Sequence, residues 1–301
     1  MRTFIREKKI YCGKDYLEVD VYTYTAAEQE VAKRGRRSKK EIISTPKQVD
    51  WNERNSKRHF LQLVNTNFGE GDYHVSLTYS SGNMPQTCTD AERELRNFLR
   101  RVEYARKKAG LPPLKYIAIP ACTFKKDGVT LARIHHHIIM NGGLTRDEIE
   151  DLWRKRRKAG QKKGERIGYA NADNLQIQSG EYGLIALCEY LAKQAGGKKR
   201  WSGSQNLEKP EKEITDPDSP PKTEPSKFSA SANLEKPWSR TNDHSFSRRE
   251  VEKIAKAPPS AAYWEKRYPG YTPVAGDYGY KAVYSEGRGW CLYLKLRRIK
   301  E

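Results

Sequence analysis

Cysteine is scarce and scattered. The five residues, Cys12, Cys88, Cys122, Cys188 and Cys291, are odd in number and contain no CxxC pair. That argues against a disulfide framework and against zinc-finger spacing, and it predicts reduced thiols. Long apolar runs are missing too. Nothing approaches the roughly 20 residues that span a bilayer. The opening MRTFIREKKIYCGKDY has no apolar signal-peptide core. A cytoplasmic protein with no membrane partner is the expectation. No GxxxxGK[ST] phosphate loop occurs, so no nucleotide-driven motor is expected in this sequence. Acid is the minority charge, with 38 Asp+Glu against 57 Lys+Arg and a formal net charge of +19. Such a surplus suits a polyanionic partner, because Lys and Arg displace counterions from phosphates.

Charge and periodicity divide the chain. Residues 1–54 read as a basic N-terminal extension, with KRGRRSKK at 33–40 as a candidate phosphate-tracking arm. Strand alternation begins at 72–79 (DYHVSLTY). A helix follows, with Thr89 and Glu92 as its capping pair and Leu95, Phe98, Leu99 and Val102 as its apolar stripe. Residues 110–113 stop it. A hairpin is predicted from 116–121 (YIAIPA) and 131–140 (LARIHHHIIM). Thr145 and Glu148 box the next helix, and Leu144 staples Ile149. A short strand is expected near 169–177, and a helix over 180–194 that buries Leu184, Leu187, Cys188 and Leu191. Residues 202–236 are rich in Ser, Pro, Glu and Lys and read as a disordered linker; NLEKP occurs in this stretch at 206–210 and again at 233–237. Order returns over 237–301 as an α+β appendage, with a helix at 248–256 and a hairpin of 280–284 with 290–296. The fold class is therefore α+β: a mostly antiparallel sheet of about five strands covered by helices on one face.

Three of the six histidines are consecutive. On a strand His135 and His137 share one face and His136 takes the other. Two imidazoles so placed can grip one divalent cation. Arg133 shares their face, where it can hold a phosphate. Tyr190 lies on a predicted helix with Lys193 three residues on, so the two share a side. Gly183, Ala186 and Gln194 border them, small or polar rather than apolar.

These blocks occur in a set order: DYHVSLTY, RIHHHIIMNGG, LTRDEIEDLW, then EYLAKQ followed by KRW. The set resembles the HUH endonuclease superfamily (His, hydrophobic residue, His). It most resembles the replication-associated proteins that start rolling-circle replication in bacterial phages, plasmids and related mobile elements. The likeness spans roughly 55–205, and the tail after 237 loosely. It implies an RRM-like core over 55–201 with the active site on the open sheet face. It implies His135 and His137 as ligands of Mg²⁺ or Mn²⁺, Tyr190 as nucleophile and Lys193 as a phosphate contact. The product would be a 5′-phosphotyrosine link and a free 3′-OH. Partners implied are single-stranded or hairpin origin DNA and a host DNA polymerase and helicase, in a bacterial cytoplasm. Candidate DNA contacts are Arg133, Arg154, Lys155, Arg156, Arg157, Lys162, Lys163 and Arg200. Trp153, Tyr169 and Trp201 are candidate stacking aromatics.

The family's third ligand is acidic and precedes the histidine strand. YIAIPA sets Ala121 there, and a methyl group binds no metal. His74, Asp127, Cys122 or water can fill the gap. Otherwise the chain is an origin- or hairpin-binding protein without cleavage, or a related tyrosine transposase or relaxase.

Overall fold

The computed structural model describes residues 3–25, 46–121, 134–175, 184–194, 201–215, 245–276, 279–286 and 288–299. In chain order these form β1 (Thr3–Cys12), β2 (Tyr16–Thr25), α1 (Pro46–Asn67), β3 (Tyr73–Thr78) and α2 (Cys88–Lys108). Then come β4 (Tyr116–Ala121), β5 (His135–Met140), α3 (Arg146–Asp151), β6 (Ala170–Asn174) and α4 (Ile185–Gln194). The remainder is β7 (Ser202–Gly203), β8 (Glu211–Thr215), α5 (Arg248–Lys256), α6 (Ala261–Arg267), β9 (Tyr271–Pro273), β10 (Tyr280–Ser285) and β11 (Gly289–Arg298). The fold is α+β with two antiparallel sheets.

The chain splits into two units: 46–209, and a second made from 1–45 with 210–301. This departs from the four-part reading. The N-terminus is no extension, because β1 and β2 form a hairpin whose second strand pairs with β11. Leu17, Val19 and Val21 stand opposite Leu296, Leu294 and Leu292, and all six are buried. Burying that apolar row outweighs the entropy of closing so long a loop, which grows only slowly with length. The linker reading also shortens, since 201–215 is ordered, with β7 on one sheet and β8 on the other. The basic run at 33–40 and residues 216–244 lie outside the described residues.

In the unit 46–209 the strand order is β6-β3-β5-β4-β7, with β5 in the middle. One face carries Val75, Leu77, Ala118, Ile138, Met140, Ala170 and Ala172. Helix α2 packs on it through Leu95, Phe98, Leu99 and Val102, and α3 through Ile149. The α2 cap is Thr87, which accepts from Asp90 N, and not the expected Thr89. The C-terminus of α2 closes in a Schellman turn: Gly110 has φ 68°, its N–H bonds Lys107 O, and Leu111 N bonds Arg106 O. Arg106 is 1 % exposed and donates to the carbonyls of Pro112, Asn141 and Gly142. It ties the end of α2 to the Asn-Gly-Gly segment that ends β5. Thr145 and Glu148 form the expected capping box on α3.

The other face is not fully open, contrary to the expectation of helices on one side only. Ile117, Ile119 and Ile139 lie on it and are buried. Phe60 of α1, Ile119, Leu191 of α4 and Trp201 line one small apolar cleft there. The reason is compositional: this face is apolar along β4 and polar along β3 and β6, so helices cover only its apolar part. In the second unit, α5 and α6 cover Leu17, Val19, Val21, Leu292, Leu294 and Leu296 through Val251, Ile254 and Trp264. None of the described helices is long and apolar enough to cross a membrane.

Candidate active site

The uncovered part of the sheet is built from registered rows. His135 pairs with Thr78 on one side and Ala121 on the other. His137 pairs with Ser76 and Ile119. Ser76 pairs onward with Asn171, and His74 with Asp173. Paired residues in a ladder point the same way. One patch of sheet therefore presents His74, Ser76, Thr78, His135, His137, Asn171 and Asp173.

His136 points away from this patch. Its ring is fully buried, edge-on to Tyr79 and Trp153. The Tyr79 hydroxyl lies 2.8 Å from His136 Nε2 and 3.4 Å from the Ala91 carbonyl. Both bonds form when Nε2 carries the proton and donates to Tyr79, whose hydroxyl donates to Ala91. Nδ1 then holds an unpaired acceptor, cheaper to bury than an unpaired donor. Burial, with smaller contributions from His135 and His137, pushes this imidazole down to about 3. His136 is a neutral core residue.

His137 is surrounded differently. Its ring stacks on His74, with centroids 5.2 Å apart, and meets His135 edge-on at 5.0 Å. His137 Nδ1 has His74 Nε2 at 3.1 Å and the Ser76 hydroxyl at 3.2 Å. Its Nε2 is buried and has no partner among the described residues. A proton held on Nδ1 and donated to Ser76 or His74 leaves Nε2 as an unshared lone pair. Burial first, then His74 and His135, lower this group to about 4. The ring is therefore neutral near pH 7, the form that binds metals.

Tyr190 meets that ring. Its own lies 5.8 Å from His137, edge-on, and is 49 % exposed. Leu184, Ile185, Cys188 and Leu191 bury one side of α4, which leaves Ala186, Tyr190 and Lys193 on the exposed side. Residues more than fifty positions apart, one on a strand and one on a helix, thus converge.

The other sequence candidates distribute unevenly. His74 joins the patch, but against the Nδ1 edge of His137. Burial lowers its affinity for a proton, and Asp173 opposes that shift. His74, His135 and His137 are neighbours without converging as three donors: among the described residues no three His, Cys, Asp or Glu side chains form a group that could hold a metal. Ala121 stands beside His135 in the ladder, at the position where the resemblance led one to expect an acidic ligand. Asp127, Cys122, Arg133, Gly183 and Arg200 lie outside the described residues. Arg154 and Lys163 both hold Asp151, and Lys155 pairs with Glu165 at 3.7 Å, so these three brace their own loop. Arg156, Arg157 and Lys162 are exposed.

Trp153 is corrected as a stacking candidate. It is 1 % exposed, sits in the core and donates to the Thr78 carbonyl. Trp201 is half-buried against His59 and Phe60 of α1. Tyr169 is 67 % exposed, and its carbonyl bonds Thr78 N at the row of His135.

Asp173 was missed in the sequence reading. Its carboxylate holds Arg146 at 3.2 Å and receives Asn171. Alternation in ANADN, with Ala170 and Ala172 buried and Asn171 and Asp173 outward, carried the signal. No family model, curated protein or solved structure matches this chain.

Proposed function

We propose that the unit 46–209 nicks and rejoins single-stranded DNA through Tyr190, as an initiator of rolling-circle replication does. One observation carries the reading: an exposed phenol stands beside a buried neutral imidazole whose Nε2 has no partner among the described residues. The ordered likeness to the HUH superfamily supports it, and the net charge of +19 suits a phosphate substrate.

His137 would hold a divalent cation through Nε2, with His135 as the second imidazole. His74 and Ser76 orient His137 by occupying Nδ1, as outer partners of metal-bound histidines do. Mg²⁺ or Mn²⁺, when bound, withdraws charge from the scissile phosphate. Tyr190 Oη attacks phosphorus, and its proton leaves to water at the exposed edge of the ring. The P–O3′ bond breaks, and the departing oxygen takes a proton to become a 3′-OH. The phosphate stays on Tyr190 as a 5′-phosphotyrosine. One phosphodiester replaces another, so the reverse reaction seals the strand. Lys193, one turn on and exposed, supplies positive charge beside that phosphate.

A second reading is a DNA-binding protein without cleavage. Ala121 beside His135 and the lack of a three-donor group among the described residues favour it. One experiment separates the two. The full chain is incubated with a randomised, end-labelled single-stranded library and Mn²⁺, then run on a denaturing gel. A covalent adduct that Tyr190→Phe abolishes supports nicking. Retention on a native gel with no adduct in either protein supports binding alone.

A further inference from the structure

We infer that α2 carries a second nucleic-acid surface, one that grips the backbone of double-stranded DNA on the reverse of the sheet from Tyr190. Helix α2 buries Leu95, Phe98, Leu99 and Val102 against the sheet face that holds His136. Its opposite side is exposed. With about 100° per residue, Arg93, Arg96, Asn97, Arg100, Tyr104 and Lys107 fall in one sector roughly 100° wide. From Arg93 to the end of the helix no carboxylate lies within it. Glu92 and Glu103 sit at one margin and Glu94 at the other. Glu103 turns its carboxylate to the Leu114 N–H.

A solvated helix face ordinarily mixes both signs. This one is sorted by sign, and Tyr104, 72 % exposed, stands within it without a packing role. Arg93 leans on Asp90 at 2.8 Å and Arg96 on Glu92 at 3.9 Å. Arg100 and Lys107 pair with no carboxylate among the described residues. Arg93 to Lys107 runs about 21 Å at 1.5 Å per residue. That matches roughly six phosphates of one duplex strand at about 3.4 Å each along the axis.

The platform continues sideways. Arg101 donates to the Leu152 carbonyl at 3.0 Å, which joins α2 to the segment that leads into exposed Arg156, Arg157, Lys158 and Lys162. A convex, cationic helix face with one aromatic suits a rigid duplex. Single strands favour grooves with several stacking rings. The inference rests on nucleic acid as the partner, and not on cleavage.

The test uses fluorescence anisotropy of the full chain with a labelled 20-base-pair duplex and a 20-nucleotide single strand across a salt series. The variant Arg96→Ala/Arg100→Ala/Lys107→Ala alters exposed side chains and raises helix propensity, so the helix is kept. Its duplex affinity is expected to fall at least about tenfold, and its log–log salt slope to flatten by about 2.7, which is 0.9 per lost phosphate contact. Single-strand affinity is expected to change less than about twofold, since the single strand is proposed to bind the opposite sheet face, beside Tyr190. The charge-preserving Arg96→Lys/Arg100→Lys variant should bind the duplex like the parent. A parent that does not bind the duplex, an unchanged slope in the triple variant, or equal losses on both probes would overturn the inference. Loss of duplex binding in the triple variant, with no adduct from any protein, would leave this surface standing and remove the nicking reading.

Discussion

His136 and His137 are the same residue one position apart, and they meet opposite conditions. The ring of His136 is sealed under α2, bonded to Tyr79 and edge-on to Trp153. The ring of His137 has one nitrogen claimed by Ser76 and His74 and the other unclaimed beside an exposed phenol. A side chain that supports a core and one that keeps, beside an exposed phenol, a ring nitrogen unpartnered among the described residues differ here only in the face of the strand they occupy. Composition identifies a histidine cluster, whereas the cross-strand neighbours decide which member keeps an unpartnered nitrogen on the exposed sheet face.

The sharpest way to break this contrast is to remove each ring in turn. His137→Ala is expected to lower Mn²⁺-dependent adduct yield by at least about 100-fold, more than loss of an outer partner typically costs. Its urea midpoint should stay close to the parent's. His136→Ala should do the reverse. A buried ring lost from a packed core costs about 3 kcal/mol, read as a lower urea midpoint, while adduct yield per folded molecule holds. Equal effects of the two changes on either readout would dissolve the distinction.

Next in size is acidity. His136 is held near 3 in the fold, against about 6.5 when unfolded. The unfolded chain therefore binds a proton that the folded chain refuses. Stability present above pH 6.5 is lost as pH falls from 6.5 toward 3. Between pH 7 and pH 5 this one group accounts for about 2 kcal/mol of lost stability, and His136→Leu should remove that share from the urea-derived pH profile. A profile of the variant as steep as the parent's would assign the loss to other groups.

The smallest effect concerns Nδ1 of His137, the ring nitrogen that Ser76 and His74 approach. Ser76→Ala should weaken Mn²⁺ binding about tenfold, as loss of an outer partner does, with His74 still at Nδ1. Calorimetric titration measures it, and unchanged affinity would make Ser76 a spectator.

Much of the fold was legible locally. The α5 helix, the box at Thr145, the stripe Leu95–Phe98–Leu99–Val102 and the β4–β5 pairing all follow from short-range pattern. The β1–β2 hairpin was not read, although Leu17, Val19 and Val21 alternate cleanly. Glu18 and Asp20 between them are buried as well, and their charge disguised the strand as a polar extension. Gly168 shows the same limit at one residue. A side-chain carbon there would sit 2.1 Å from the Thr78 carbonyl, a constraint imposed by a strand ninety positions away.

The amino-acid sequence by itself determined which histidine faces which way, because alternation is a property of extended backbone and needs no neighbour. It also set the sign of the charge and placed Ala186 and Lys193 on the helix side that carries Tyr190. Only the tertiary structure decided that His74 takes the back of His137, that Asp173 lies one strand further, and that Tyr190 comes within ring contact. Strand order and helix docking are settled by burial of apolar faces across long loops, and no local period in the chain records them.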